Sequence, residues 1–549
     1  MHSPGFDFQH SLNQVPVLEN FNAFTTNTML QHALNAYGGG WTNERAVAFG
    51  ALMGSHGMQE AGHLANRNTP MLKTHDRFGN RLDVVEYHPA YHRMMEAAIR
   101  GQVHSIAWTS PQKGRYLAHS VLSYLKQQID EGSSCPLTMT FAVVPSLEIA
   151  PGIAREWLPL VLSNEYDERH IPYFNKKGVT FGMAMTEPQG GSDVRANLTF
   201  AKPAGSGVYK ITGRKWFCSA PMSDAFLVLA QTEKGLGCFL VPRFTPEGEK
   251  NRLYFQRLKD KLGNRSNASG EVEFHEAWGK IIGEEGRGIP NIMEMVRHTR
   301  LDCAIGSAAT MHRAVAEAIH HCHYRSAFGK RLIDQPLMKN VLADLGLECE
   351  AATTLAMRLA KGFDDAPDDE EAMHFTRIAT AVGKFWNTKR AVLAVGEALE
   401  CIGGNGYVEE FIMPRLYRDV PVNSIWEGSG NVQALDVLRA MHKEPRSMEA
   451  LMNYFSSARG LDAGLDSHLG SLQQLLSNTS DYEFKARIIV EKMALAMQAI
   501  ELIRIAPPAV AQLFCKARLA GTRNLTWGAL ENTTALDEVI ARTYQAAEK

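Results

Sequence analysis

Apolar positions along this chain follow two spacings, one helical and one strand-like. Leu301, Ala304, Ile305, Ala308, Met311, Val315, Ala318, Ile319 and Cys322 recur at i, i+3, i+4 and i+7 over about six turns. A helix of that length with one apolar stripe belongs in a bundle. Thr42-Asn43-Glu44-Arg45, following the glycines at 38–40, predicts a capped helix start with Ala46, Phe49 and Met53 on its inner side. Residues 91–99 and 116–131 continue in helical register, and Pro151-Gly152 and Ile171-Pro172 punctuate the end of this region. The spacing then changes. Residues 208–212, 225–230 and 238–241 are strand-length runs separated by Gly, Pro and Asp, which predicts a compact antiparallel β-domain. Helical spacing returns over 372–399, after an acidic run, 364–371, that reads as a solvated loop between bundle helices. The tail, 441–549, is also helical in pattern. There is no internal repeat or low-complexity tract. The expected division is 1–180 helical, 181–285 β, 286–440 bundle and 441–549 helical tail, an α+β chain that is mostly α.

Composition narrows the class. With 549 residues, 45% apolar and 21% charged, the chain can bury several domains' worth of core. A formal net charge of −2 argues against polyanion binding through bulk charge but allows a local basic patch. The eight cysteines contain no Cys-x-x-Cys pair and suit reduced thiols in a cytoplasmic protein. The first residues show no basic region followed by an apolar run, so no secretory signal is expected. No apolar run reaches about 18 residues, so no membrane span is expected.

One stretch carries chemistry on residue type: Ile425-Trp426-Glu427-Gly428-Ser429-Gly430-Asn431. An indole beside a carboxyl gives apolar cover, and desolvation raises a carboxyl pKa towards the range of a working base. The glycines after it let backbone approach a ligand. Taken alone, a Glu is most often a solvated surface group. His320-His321-Cys322-His323 has metal-ligand residue types, yet consecutive helical residues point to different faces, so no metal is expected there. The glycines at 283, 286 and 288 lack Rossmann spacing after a strand.

Four further motifs stand in order ahead of this stretch: Met185-Thr186-Glu187-Pro188-Gln189-Gly190-Gly191-Ser192-Asp193, Gly213-Arg214-Lys215-Trp216-Phe217-Cys218-Ser219, Arg325-Ser326-Ala327-Phe328-Gly329 with Leu332 and Gln335, and Gly403-Gly404-Asn405-Gly406-Tyr407. With Trp426-Glu427-Gly428-Ser429 they resemble the flavin-dependent acyl-CoA dehydrogenases. The likeness is strongest to the alkylation-response branch of that family, carried by residues 257–269 and 421–431 and by the long tail.

The resemblance implies the acyl-CoA dehydrogenase fold with an added C-terminal helical domain, FAD as cofactor, and a homotetramer. It puts Glu427 in the role of catalytic base, with its own N–H polarising a thioester carbonyl, and Arg300 and Trp426 on the substrate side. It puts Met185, Thr186, Gly190, Gly191, Ser192, Trp216, Cys218, Ser219, Arg325, Phe328, Gln335, Gly403, Gly404, Ser429 and Asn431 around FAD. Cys218 stands where many members carry Thr, and Glu400 where many carry Gln.

The same resemblance implies binding of double-stranded DNA through the tail. Residues 441–549 hold 12 Lys plus Arg against 12 Asp plus Glu, yet 502–530 contains no acid. There Arg504, Lys516, Arg518 and Arg523, with Arg439 at the bundle–tail junction, are candidate phosphate contacts. A basic helix face packed within an assembly is the plainer reading of the same charges. The expected function is an FAD protein of the adaptive response to DNA alkylation that binds and protects duplex DNA and has weak dehydrogenase activity on short or branched acyl-CoA, isovaleryl-CoA-like. The alternative is a metabolic acyl-CoA dehydrogenase with Glu427 as base and no DNA role.

Overall fold

The long apolar stripe forms one helix, Gly288–Tyr324. In the computed structural model, which describes residues 13–478, 480–520, 526–531 and 533–546, it lies against Pro336–Asp365 and Glu370–Ile402. Asn387 locks these helices together: its Nδ2 donates to Ala304 O at 3.3 Å and Ala352 O at 2.9 Å. Such a buried amide is tolerated because its donors are satisfied by carbonyls of both neighbours.

The N-terminal region is helical from Thr28–Ala36 through Pro151–Val161. Two details differ from the expectation. Thr42 does not cap the Asn43–Gly54 helix, and its hydroxyl is buried without a partner. A hairpin, Met71–His75 with Arg81–Glu86, interrupts the helices. It is anchored by Asp83, which accepts from Lys250 Nζ at 2.8 Å and Phe255 N at 3.1 Å.

The β-domain is a rolled sheet. Strand Ser269–Ile282 pairs with Val208–Ser219, Gly235–Pro242 and Leu253–Leu258, all antiparallel. Ala225–Thr232 pairs with Gly235–Pro242, and the ring closes through a single Phe200–Gln231 pairing. Phe226, Phe239, Phe255 and Phe274 fill its interior. The expected all-antiparallel sheet is corrected at two pairings: the Phe200–Gln231 closure is parallel, and Phe181–Ala184 runs parallel to Ala225–Thr232. It enters from the N-terminal helices, not from the meander, so a hairpin does not set its direction.

The tail helices Pro445–Ser456, Tyr482–Ile505 and Leu536–Thr543 pack on the bundle, and Ala463–Ser477 packs on Tyr482–Ile505. Buried charges tie them down. Glu501 accepts from Tyr37 Oη at 2.5 Å and Tyr454 Oη at 2.6 Å, and Arg542 Nε meets Glu350 at 3.0 Å. The acidic run is only partly a loop. Asp364 belongs to the bundle helix, and its carboxylate accepts the N–H groups of Tyr116 and Leu117, capping another helix. No helix of the described residues is long and apolar enough to cross a membrane.

Candidate active site and flavin-binding elements

Glu427 sits in a turn between the short helix Val420–Ser424 and the helix Gly430–Lys443. Its φ is +57°, a left-handed conformation that costs a non-glycine residue about 1 kcal/mol. Three donors, one from each of three helices, hold it there through five hydrogen bonds. Arg300 Nε and Gln433 Nε2 donate to Glu427 O at 3.1 and 2.9 Å, and Gln433 Nε2 also reaches Gly428 O at 3.1 Å. Lys384 Nζ donates to Trp426 O at 2.7 Å and Gly428 O at 2.5 Å. Strain that the surroundings over-determine in this way is a mark of functional sites.

The half-buried Glu427 side chain accepts one bond, from Thr299 Oγ1 to Oε2 at 2.9 Å. Burial raises its pKa, and the Thr299 bond, then Lys384 and Arg300, oppose the rise. The result is a carboxyl aimed by one hydroxyl; the indole Nε1 of the adjacent Trp426 donates to Asn423 Oδ1 at 3.0 Å. Arg300 differs from its expected place on the substrate side. It is buried, and its Nη1 pairs with Asp436 at 2.7 Å while Nε holds the Glu427 carbonyl. Thr299, Lys384, Gln433 and Asp436 were not expected from sequence: Thr299 and Lys384 come from helices remote in the chain, and Gln433 and Asp436, on the helix that follows the turn, carry no local motif.

The glycine-rich loop and the tryptophan strand form one unit. Trp216 N donates to Thr186 O at 2.9 Å. Beneath them Glu187 and Lys215, both fully buried, pair at 2.7 Å, and Glu187 also accepts the N–H groups of Leu198 and Thr199. The Lys215 charge and these bonds hold Glu187 at about 2 against the opposing effect of burial, while burial brings Lys215 down to about 8. Met185 and Thr186 are half-buried, whereas Gly190, Gly191 and Ser192 are exposed. A Cβ on Gly191 would stand 2.6 Å from Thr186 Oγ1, so only glycine leaves that hydroxyl free. Trp216 has Lys259 Nζ 3.3 Å from its ring centroid, a cation–π contact, and Lys259, Arg214 and Arg257 converge on buried Glu271.

Cys218 requires correction. Its side chain packs inside the barrel with the phenylalanine core, and burial pushes the thiol up to about 12. The next residue, Ser219, is half-buried. A register shift between Lys215 and Cys218 turns both side chains inward.

The remaining nucleotide candidates stand apart. Phe328 is 99% exposed at the tip of a hairpin whose strands are Ser326–Ala327 and Lys330–Arg331. Gln335 Nε2 closes the hairpin on Ala327 O at 2.9 Å, and Arg325 Nη1 donates to Asn13 O at 2.6 Å. Gly403 and Gly404 are exposed with open space around them. No hydrogen bond among the described residues joins these groups to the Glu427 turn. Ser429 begins the Gly430–Lys443 helix without capping it, and Asn431 Oδ1 accepts from Arg487 Nε at 2.8 Å.

The tail cations are also redistributed. Arg518 pairs with Asp344 at 2.5 Å and Glu348 at 3.2 Å, and Arg504 bonds Glu501 at 3.2 Å and Ser457 at 2.8 Å. Both are therefore corrected from phosphate contacts to internal partners. Arg439 and Lys516 are exposed, and Arg523 lies outside the described residues.

A strained glutamate beside an indole, a glycine loop bonded to a tryptophan strand, and a rolled sheet between helical regions together define the class. Family models match in chain order: the N-terminal domain of adaptive response protein AidB over 13–168, the acyl-CoA dehydrogenase middle domain over 182–277 and the acyl-CoA dehydrogenase C-terminal domain over 286–442. The chain belongs to the acyl-CoA dehydrogenase family, whose members are FAD-dependent oxidoreductases. Within it, the chain is similar to AidB of Escherichia coli (strain K12), 44% identical over 92% of this chain and 94% of that protein. It is 29% identical to acyl-CoA dehydrogenase family member 11 of Caenorhabditis elegans over 80% of this chain and 75% of that one. The solved structure of Caenorhabditis elegans ACDH-11 in complex with C11-CoA superposes with a TM-score of 0.86 at 25% identity, covering 96% of this chain and 95% of that one.

Proposed function

We propose that this protein is an AidB-like, FAD-dependent acyl-CoA dehydrogenase in which Glu427 removes the proton α to a thioester carbonyl. The observation that carries this reading is the Glu427 turn: a carboxyl with a raised pKa, aimed by Thr299, on a strained peptide clamped from three helices. The Glu427 N–H, which makes no hydrogen bond among the described residues, is the donor for the thioester oxygen. Arg300 holds the turn instead of the substrate.

The residues present fit FAD. Exposed glycines at 190, 191, 403 and 404 leave backbone open, and the Thr186 and uncapped Ser429 hydroxyls are available as partners. Met185, Ser192, Trp216, Ser219, Asn431 and the Cys218 backbone complete one side. Arg325, Phe328, Gln335, Gly403 and Gly404 serve the FAD of a neighbouring protomer, which fits the full exposure of Phe328 and a homotetramer. Bound FAD supplies the acceptor for the β-hydride. Trp426 narrows the acyl side, which favours short or branched chains of the isovaleryl type.

Anaerobic mixing of the FAD-loaded protein with isovaleryl-CoA tests this. Bleaching of the oxidised flavin is expected, and Glu427→Gln is expected to slow it by about 10²–10⁴-fold. Unchanged bleaching in that variant removes Glu427 as the base.

A second reading, duplex DNA binding in an alkylation response, is supported by the likeness to adaptive response protein AidB and by the exposed Arg439 and Lys516. Reversing both charges to Glu is expected to weaken duplex binding and to lower the slope of log K against log salt by about 2. Unchanged affinity and slope would remove this surface.

A further inference from the structure

Close to the Glu427 turn lies a buried carboxyl, Glu131, whose hydrogen-bond partners among the described residues are neutral. It follows the Arg115–Gln127 helix, at the wall between the N-terminal region and the bundle. Its Oε1 accepts from Thr310 Oγ1 at 2.6 Å and from Asn423 Nδ2 at 2.9 Å, while Oε2 is buried without a partner. Asn423 Oδ1 in turn accepts from the Trp426 indole at 3.0 Å. Burial, with Asp419 nearby, pushes the Glu131 carboxyl up to about 8.

The direction of this relay is forced by its ends. An indole N–H can only donate, so Asn423 must turn its oxygen to Trp426 and its amino group away. Asn423 is 2% exposed, so that amino group needs a protein acceptor. Glu131 Oε1 is the acceptor in place. The Trp426 backbone is already held, its carbonyl by Lys384 and its N–H by Val422 O at 3.0 Å. What the relay adds is the orientation of the ring.

We propose that Glu131 is a specificity-determining positioning residue: through Asn423 it sets the angle of the Trp426 indole and so the wall of the acyl site beside Glu427. This rests on the reading of Glu427 as the base. The role belongs to a group that touches no substrate, so its signature is a change in substrate fit rather than in the chemical step.

The test compares Glu131→Leu, Glu131→Gln and Asn423→Ala in the full-length, FAD-loaded protein. Tryptophan indoles are labelled with 15N, and the Trp426 N–H signal is assigned by its loss in Trp426→Phe. Glu131→Leu and Asn423→Ala are expected to shift the Trp426 signal and leave the other indole signals in place. They are expected to raise KM for isovaleryl-CoA about five- to tenfold with kcat within about twofold. Glu131→Gln keeps a carbonyl acceptor and is expected to restore both readouts. The proposal is overturned by an unmoved Trp426 signal, by a shift of all indole signals together, or by Glu131→Gln behaving as Glu131→Leu. If Glu131→Leu does not fold, Asn423→Ala and Glu131→Gln decide. If the unaltered protein does not turn over isovaleryl-CoA, the reading of Glu427 fails, while the indole signals still decide the role of Glu131.

Discussion

In the proposed role Glu427 works only as the ionised base, so its raised pKa sets the acid side of the expected pH profile. Activity is present above that pKa and is lost as the pH falls through it. The Thr299 hydroxyl favours the charged form, so Thr299→Val is expected to raise the pKa further. The acid limb of kcat/KM then moves to higher pH, and an unmoved limb would show that Thr299 only packs. At this scale the sequence was informative for the proposed base, because Trp426, Glu427 and Gly428 are adjacent. It was silent on Thr299, Lys384 and Gln433, which converge on the turn from three helices. It misplaced Arg300, whose pairing with Asp436 depends on helices meeting in space.

Elements show a different limit. The tryptophan strand was legible from its residue types, but counting alternate positions puts Trp216 and Cys218 on one face. A bulge after Lys215 breaks that period and sends Lys215 and Cys218 inward together. The inward lysine meets Glu187 and joins strand to loop. Lys215→Met leaves a buried carboxylate without its cation and is expected to cost about 3–5 kcal/mol in denaturant unfolding. Weakened FAD binding should accompany it, because Thr186 and Trp216 share that support. Unfolding within 1 kcal/mol of the parent would mean that Glu187 takes up a proton or water instead.

For the whole molecule, the tail packs into the core rather than standing off as a separate arm. The acid-free stretch 502–530 looked like a free basic surface because its acceptors are distant in sequence: Asp344 and Glu348 for Arg518. Arg518→Ala is therefore expected to destabilise the protein by about 3 kcal/mol, whereas Lys516→Ala, at an exposed site, is expected to change unfolding by less than about 0.5 kcal/mol. Equal effects of the two substitutions would contradict this division.

What the sequence determined by itself was the order of elements and the candidate for the base. Both rest on local spacing: apolar period for helices and strands, and adjacency for the Trp-Glu-Gly turn. The tertiary structure decided which polar groups are free to act. Burial and pairing join residues more than a hundred positions apart, as Arg300 to Glu427, Asn423 to Glu131 and Arg518 to Asp344. No local pattern encodes those distances, because each depends on how helices and barrel pack against one another.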